Sequence, residues 1–244
     1  MNLNGNTILL TGGTSGIGFA LLHKFYSLDN KLIVVGRNEP KLKEIERDFN
    51  GARTIHCNLA DTSSVLRLIK ICKHNHPDIN ILINNAGVQH NYIFGKDEPD
   101  FDNIQNEITV NLISPLQLCF AFIPLLQKHI ESAIINVSSG LAFAPKASAP
   151  VYCGTKAAIH ILTKALRYQL EQSNVKVFEI IPPLVDTPMT AGRGKGKISP
   201  EQLVDEFIVN LAKDKFESNI GKTKYLRILQ RLSPLLADNI LKSY

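Results

Sequence analysis

Residues 7–18 read TILLTGGTSGIG: a short apolar run that stops at a glycine-rich turn. The run suits a buried strand, and Gly12, Gly13 and Ser15 suit a tight turn at its end. Helical spacing follows at once, with Ile17, Leu21, Leu22 and Phe25 recurring on one face through 17–28. Strand, glycine turn and helix in that order make a phosphate cradle. The first glycine allows the sharp turn, the middle one lets a pyrophosphate approach the backbone, and the last lets helix and strand pack closely. The helix start then offers free N–H groups and partial positive charge. Gly12, Ser15, Gly16, Ile17 and Gly18 are therefore expected to bind a dinucleotide.

The same alternation continues outward. Residues 31–35 (KLIVV) predict a second strand and 38–49 a charged helix, with Pro40 in its first turn. Residues 54–59 predict a third strand, followed by a helix capped by Asp61. Strands are expected at 79–84, 133–137 and 175–181, and long helices at 101–129 and 149–172. The strands are continuous apolar runs, as expected for a parallel sheet covered on both faces. Alternation of strands and helices predicts an α/β, doubly wound, mostly parallel sheet with helices on both faces, a Rossmann-like three-layer αβα fold. Residues 1–244 read as a single NAD(P)-binding domain. Within it, the glycine-rich stretch TPMTAGRGKGKIS at 187–199 opens a substrate-loop or lid region over 187–213.

Composition narrows the class. The chain has 244 residues, 44% hydrophobic and 20% charged, with a net charge of +5. That is ordinary for a soluble globular protein. Lys and Arg are spread along the chain, so no nucleic-acid partner is expected. No metal is expected either. The four cysteines lie outside CxxC spacing and read as reduced thiols. No signal sequence is visible, and no apolar run approaches the roughly 18 residues that span a bilayer. A cytoplasmic location is expected.

Chemistry enters at Tyr152 and Lys156, four residues apart on one face of a predicted helix. A phenol ordinarily titrates near 10, and a nearby ammonium lowers that value. Tyr152 is then expected to exchange a proton at working pH. Ser138 and Ser139 follow strand five at the carboxyl end, where open α/β sheets bind ligands. Ser139 can hold a carbonyl oxygen and stabilise charge there, and Ser138 reads as structural. Asn111 stands inside a helix, where its side chain competes with the backbone.

The Gly-x-x-x-Gly-x-Gly spacing of 12–18, the NNAG at 84–87 and this Ser–Tyr–Lys set resemble the short-chain dehydrogenase/reductase family in its compact single-domain form. The resemblance covers nearly all of the chain from Thr7 to about Thr187. It implies that Asn85, Ala86 and Gly87 sit beside the adenine ring. It places Asn58, with its neighbour Leu59, where the family usually has an Asp against adenine. The thirteen residues from Ser139 to Tyr152 match the family's separation. Asn111 matches the asparagine that bends its helix and holds a water linked to the lysine. Pro182, Val185 and Thr187 match positions that hold the nicotinamide, although Pro183 replaces a glycine there and removes an N–H. The catalytic set is thus Asn111, Ser139, Tyr152 and Lys156, with Tyr152 and Lys156 also touching the cofactor.

At the end of strand two, a carboxylate would bind the ribose hydroxyls of NAD. Gly36 and Arg37 stand there instead, and a guanidinium suits a 2′-phosphate. Ser15 and Asn38 could add hydrogen bonds. NADP is therefore expected over NAD, which stays possible. The expected activity is hydride transfer between NADP(H) and a small carbonyl or alcohol. The alternative is a non-catalytic dinucleotide-binding regulatory or scaffold protein. Isomerisation through a transient ketone is a further enzymatic variant. Substrate contacts are expected from 88–96, 140–150 and 186–210, including Gln89, His90, Phe94, Leu141 and Phe143. Cys153 reads as a passive thiol. The basic amphipathic tail, 220–244, departs from the family. Packing on its own domain ranks first, a subunit contact second and a membrane surface last. A homodimer or homotetramer is expected from the family's habit of assembling through its two long helices.

Overall fold

The computed structural model describes residues 1–98 and 100–242. Its strands are β1 (Thr7–Thr11), β2 (Lys31–Gly36), β3 (Arg53–His56), β4 (Ile81–Asn84), β5 (Ser132–Val137), β6 (Val175–Ile181) and β7 (Glu217–Asn219). Among the described residues they form one parallel sheet in the order β3-β2-β1-β4-β5-β6-β7. The order reverses between β1 and β4, which opens a crevice at the carboxyl ends of the strands. The helices are α1 (Gly16–Ser27), α2 (Glu39–Asp48), α3 (Thr62–Asn75), α4 (Phe101–Ile108), α5 (Ser114–Leu126), α6 (Pro150–Gln169), α7 (Pro200–Ala212), α8 (Thr223–Leu232) and α9 (Pro234–Lys242).

Two apolar clusters flank the sheet. One packs Ile8, Leu10, Ile83, Ile135 and Phe178 against α1, α2 and α7. The other packs Leu9, Leu82, Ile134 and Val177 against α3, α5 and α6. Alternate residues of each strand point to opposite faces, so both faces need apolar side chains. That is why the strands read as unbroken apolar runs.

The turn chemistry places the helices as read. Asp61 accepts from Ser63 N and Ser64 N to cap α3, and Asn38 accepts from Lys41 N to cap α2. The third and fourth strands are shorter than expected, ending at His56 and starting at Ile81. The long stretch expected as one helix is two helices joined by a π-helical segment, Thr109–Ile113, which carries Asn111. The span Phe101–Leu126 is long and apolar enough to cross a membrane by length and composition, against the reading that no run approaches that size. Here its inner face packs on β4, β5 and α6.

The region 187–213 is also more ordered than a loop. Its second half is α7, whose Leu203, Val204, Phe207 and Leu211 are buried. The glycine-rich part is tied at its base by a bridge between Val185 and Ile198. Lys197 Nζ adds bonds to Asp186 Oδ1 at 3.1 Å and Thr190 O at 2.7 Å. Within 220–244, residues up to 242 fold as α8 and α9, and the last two lie outside the described residues.

Candidate active site

The cleft at the switch point is lined by the glycine turn, the end of β2, the 85–88 segment, Ser138, Ser139, Tyr152, Lys156 and 182–190. Its phosphate end is shaped by space that no side chain could occupy. Gly12 (φ +69°) and Gly16 (φ +54°) hold left-handed backbone. A Cβ on Gly12 would lie 2.8 Å from Ala86 Cα, and one on Gly16 2.9 Å from Thr187 Cγ2. A Cβ on Gly18 would lie 2.1 Å from Gly12 O, so α1 packs hard against the turn. Ser15, the N-cap of α1, makes no side-chain capping bond, and no acid stands in the first turn. The helix start is left with free N–H groups and positive potential aimed into the cleft. These features fit a pyrophosphate.

The adenosine end is built from backbone. Asn85 Nδ2 donates to Thr11 O (3.0 Å) and Gly12 O (3.1 Å), and Asn85 N and Ala86 N donate to Thr11 Oγ1. Asn85 therefore braces β4 against the glycine turn. Asn58 and Leu59 line the cleft, with Asn58 Oδ1 accepting from Ala60 N at 3.1 Å. Arg37 stands exposed at the lip, and among the described residues no acid pairs with it. Asn38 follows it at the N-cap of α2. Its side-chain oxygen is taken up by the cap of α2, at 3.0 Å from Lys41 N, and it is not among the lining residues.

The chemical end brings Ser139, Tyr152 and Lys156 to one wall. Ser139 Oγ accepts from Leu141 N at 3.1 Å, which leaves its O–H free to donate into the cleft. Ser138 is structural, its N–H bonding Ile180 O at 2.9 Å. Lys156 is buried, and its Nζ donates to Val137 O at 2.8 Å while standing 5.6 Å from the Tyr152 ring centre. Burial brings Lys156 down to about 8, and the Glu179 carboxylate pulls against that.

Tyr152 corrects one expectation. Its phenol is pushed up to about 12, first by burial and then by the charges of Cys153 and Glu107. Ser139 and Arg193 act in the opposite direction without prevailing. The ammonium sits over the ring and binds a backbone carbonyl, so desolvation outweighs it. At neutral pH this phenol holds its proton.

Asn111 is buried in the π segment. Its amide accepts from Val88 N (2.8 Å) and donates to Val88 O (2.9 Å) and Thr155 Oγ1 (3.2 Å). It thus fixes the 85–88 segment to α6. A Cβ on Gly87 would lie 3.3 Å from Asn111 Oδ1 and 3.6 Å from Lys156 Nζ, so the two side chains flank that glycine. Pro182, Val185 and Thr187 line the cleft, and Thr187 caps the short turn Pro188–Thr190.

Of the expected substrate contacts, Phe94 is exposed and Leu141 lines a second cavity with Lys146, Cys153 and Lys242. Phe143 lies instead between Arg227, 4.3 Å above its ring, and the edge of His160 at 5.1 Å. Thr14, Met189 and Thr190 also line the cleft and were missed in the sequence. So were Glu107, a fully buried carboxylate that accepts from His90 N, and the buried pair His160–Glu179. A helical position four after Asn111 or Lys156 in either direction was the available signal.

Comparisons agree with this geometry. A family model described as short chain dehydrogenase matches residues 6–197. DltE, an uncharacterized oxidoreductase of Bacillus subtilis strain 168, is 37% identical over 233 residues, covering 93% of this chain and 92% of its own. An uncharacterized oxidoreductase of Staphylococcus epidermidis is 33% identical over 208 residues, 83% of this chain and 89% of its own. A short chain dehydrogenase from Burkholderia cenocepacia, solved in complex with NADP, superimposes with a TM-score of 0.88 at 24% identity, covering 100% of both chains. One from Burkholderia phymatum, solved with NAD, gives 0.85 at 18% identity over 100% of this chain and 97% of its own. At these identities the two structures speak to the fold. With the family model spanning most of its length, the chain belongs to the short-chain dehydrogenase family, whose members are NAD(P)-dependent oxidoreductases.

Proposed function

We propose that this chain reduces a small, partly apolar carbonyl, or oxidises the matching alcohol, with a preference for NADP(H) and with Tyr152 as the proton-transfer group. One observation carries the reading: a phenol that keeps its proton at neutral pH lines the same cleft as a glycine turn fitted to a dinucleotide. When bound, the dinucleotide supplies or accepts the hydride. The chain's own residues handle the oxygen. Ser139 Oγ–H donates to the carbonyl oxygen and stabilises charge growing there. Tyr152 Oη gives its proton to the same oxygen, completing the alcohol, and the Lys156 ammonium steadies the phenolate left behind. Asn111 holds the 85–88 segment and Thr155 in place around Lys156.

A panel of ketones and aldehydes with NADPH, followed by absorbance, tests this. Tyr152→Phe should lower kcat at least about a hundredfold while cofactor binding persists. Unchanged turnover in that variant would remove the reading. Cofactor binding with no turnover by the native chain across the panel would instead favour a dinucleotide sensor. The NADP preference rests on Arg37, exposed where a carboxylate would select NAD. Arg37→Ala should raise KM for NADPH about tenfold and leave KM for NADH nearly unchanged; equal effects on both would overturn it.

We propose that subunits meet through the outer faces of α4, α5 and α6, a reading supported by the exposed Phe101, Phe120, Ile161 and Tyr168. Sedimentation of the native chain and of Phe120→Glu reads this directly, and a native monomer would overturn it.

A further inference from the structure

Lys156 presents a charge problem. Its ammonium is buried, and the bond it makes is to a neutral carbonyl, Val137 O. A buried charge needs a partner or loses its proton. One turn further along α6, on the same face, stands His160. Its Nδ1 is 3.0 and 2.9 Å from the two oxygens of Glu179 on β6. A carboxylate can only accept, so Nδ1 carries the proton and clasps both oxygens. Both side chains are buried, at 7% and 1% exposure. Asn136 pairs with Glu179 and Val137 with Ile180, so Glu179 stands on β6 under the α6 turn that runs from Lys156 to His160.

We infer that Glu179, clasped by His160, is a positioning residue for the proposed proton transfer, its carboxylate serving as the counter-charge of the buried Lys156 ammonium. This rests on the reading of Tyr152 and Lys156 above. Other charged groups come near from each packed element. Glu107, on α4, acts on Tyr152, which is on α6 itself. Glu217 pairs in register with Glu179 from β7 but is met by Arg167 Nη1 at 3.4 Å. Arg227 comes from α8 and is stacked on Phe143. Of these, Glu179 alone acts on the charge of Lys156, and it acts to keep the proton on.

The sign follows. Burial drives Lys156 down, and the carboxylate opposes it. Removing that negative charge lowers the pH at which the ammonium is lost. The test is a ¹³C NMR titration of the unliganded chain labelled at lysine Cε, with the Lys156 signal assigned by Lys156→Arg. Glu179→Gln keeps an oxygen to accept from His160 and removes only the charge. Its Lys156 midpoint should fall by about one pH unit. Glu179→Asp should keep the native midpoint to within about 0.3 unit, because the charge stays. His160→Asn, which retains a donor, should do likewise, and it serves if Glu179→Gln does not fold. A structural role would lower the melting temperature and leave these midpoints together. Equal midpoints for the native chain and Glu179→Gln would overturn the inference, as would a fall in His160→Asn as large as in Glu179→Gln. Since the titration itself reads no turnover, its failure is distinct from an active Tyr152→Phe, which would sink the proposed reaction instead. At pH 8, a one-unit fall from about 8 takes the ammonium fraction from about one half to about one tenth, so kcat of Glu179→Gln should drop about fivefold.

Discussion

Two rows of side chains cross β4, β5 and β6 one residue apart, and they could hardly differ more. Ile83, Ile135 and Phe178 pair in register and enter the apolar cluster under α1 and α7. Asn84, Asn136 and Glu179 pair in register one step later and point to the opposite face, under α5 and α6. Side-chain hydrogen bonds run along that second row, although Asn84 Oδ1 is buried without a partner among the described residues. Asn84 Nδ2 donates to Asn136 Oδ1 (2.8 Å), Asn136 Nδ2 to Thr163 Oγ1 (2.9 Å), and His160 holds Glu179. Deeper in the same face the residues are apolar again, with Leu82, Ile134 and Val177 buried. The row of Asn84, Asn136 and Glu179 thus puts polar groups in the layer that touches the carboxyl ends of the strands, where Lys156 and Tyr152 sit. The apolar row holds the sheet together. The polar row gives up stability to keep charge beside the site.

The apolar row predicts the largest effect. Phe178 is fully buried and packs on Phe216 with ring centres 5.2 Å apart. Phe178→Ala should cost about 3–5 kcal/mol in denaturant unfolding, through lost burial and the cavity left behind. Its Lys156 titration should stay native, since no charge moves. A shift of that titration would break the separation between the two rows.

The polar layer predicts the opposite sign. An unfolded lysine keeps its proton to about 10.5, whereas folded Lys156 gives it up at about 8. Between those values the unfolded chain holds more protons, so stability rises with pH across that window. Below it, folding carries the full cost of the buried ammonium. Lys156→Met removes the charge and should therefore stabilise the chain by about 2 kcal/mol at pH 7, allowing for the lost bond to Val137 O. The gain should shrink from about pH 8 upward and be largely gone by pH 10, while turnover is lost at every pH. Urea melts at pH 7 and pH 10 read both, and a destabilised variant at pH 7 would show that the ammonium is a net support.

This contrast also marks what the sequence could disclose. The glycine turn was legible because its requirement is local: Gly12 and Gly16 need left-handed backbone within five residues of each other. Tyr152 and Lys156 were legible because helix geometry alone puts them on one face. The cap of α3, Asp61, was legible because it is equally local. Three things depended on packing and stayed hidden. The His160–Glu179 pair joins residues 19 apart only because α6 lies on β6 in one register. The upward push on the Tyr152 phenol is a property of its surroundings, and the lysine spacing suggested the reverse. Helix α7 and strand β7 lie behind a polar loop, where the apolar signal of Leu203, Phe207 and Leu211 was folded into a supposed lid.

The smallest effect tests whether the C-terminal helices belong to this polar layer or merely cover it. Helix α8 sits over the carboxyl ends of the strands: Thr223 Oγ1 donates to Ile181 O at 3.0 Å, and a Cβ on Gly140 would lie 3.4 Å from Leu226 Cδ2. Arg227 reaches inward and stacks on Phe143, whose ring meets the edge of His160. A cation over an aromatic face contributes about 0.5–1 kcal/mol at a partly exposed site. The Arg227 Nε is buried without a protein partner among the described residues, which offsets part of that gain. Arg227→Ala should therefore lower the melting temperature by no more than about 3 °C in a chain of this size. The guanidinium is absent from the charges that act on Lys156, so the lysine midpoint should not move. A midpoint that does move would mean that the contact through Phe143 sets how His160 holds Glu179, and the tail would then be part of the site rather than a cover on it.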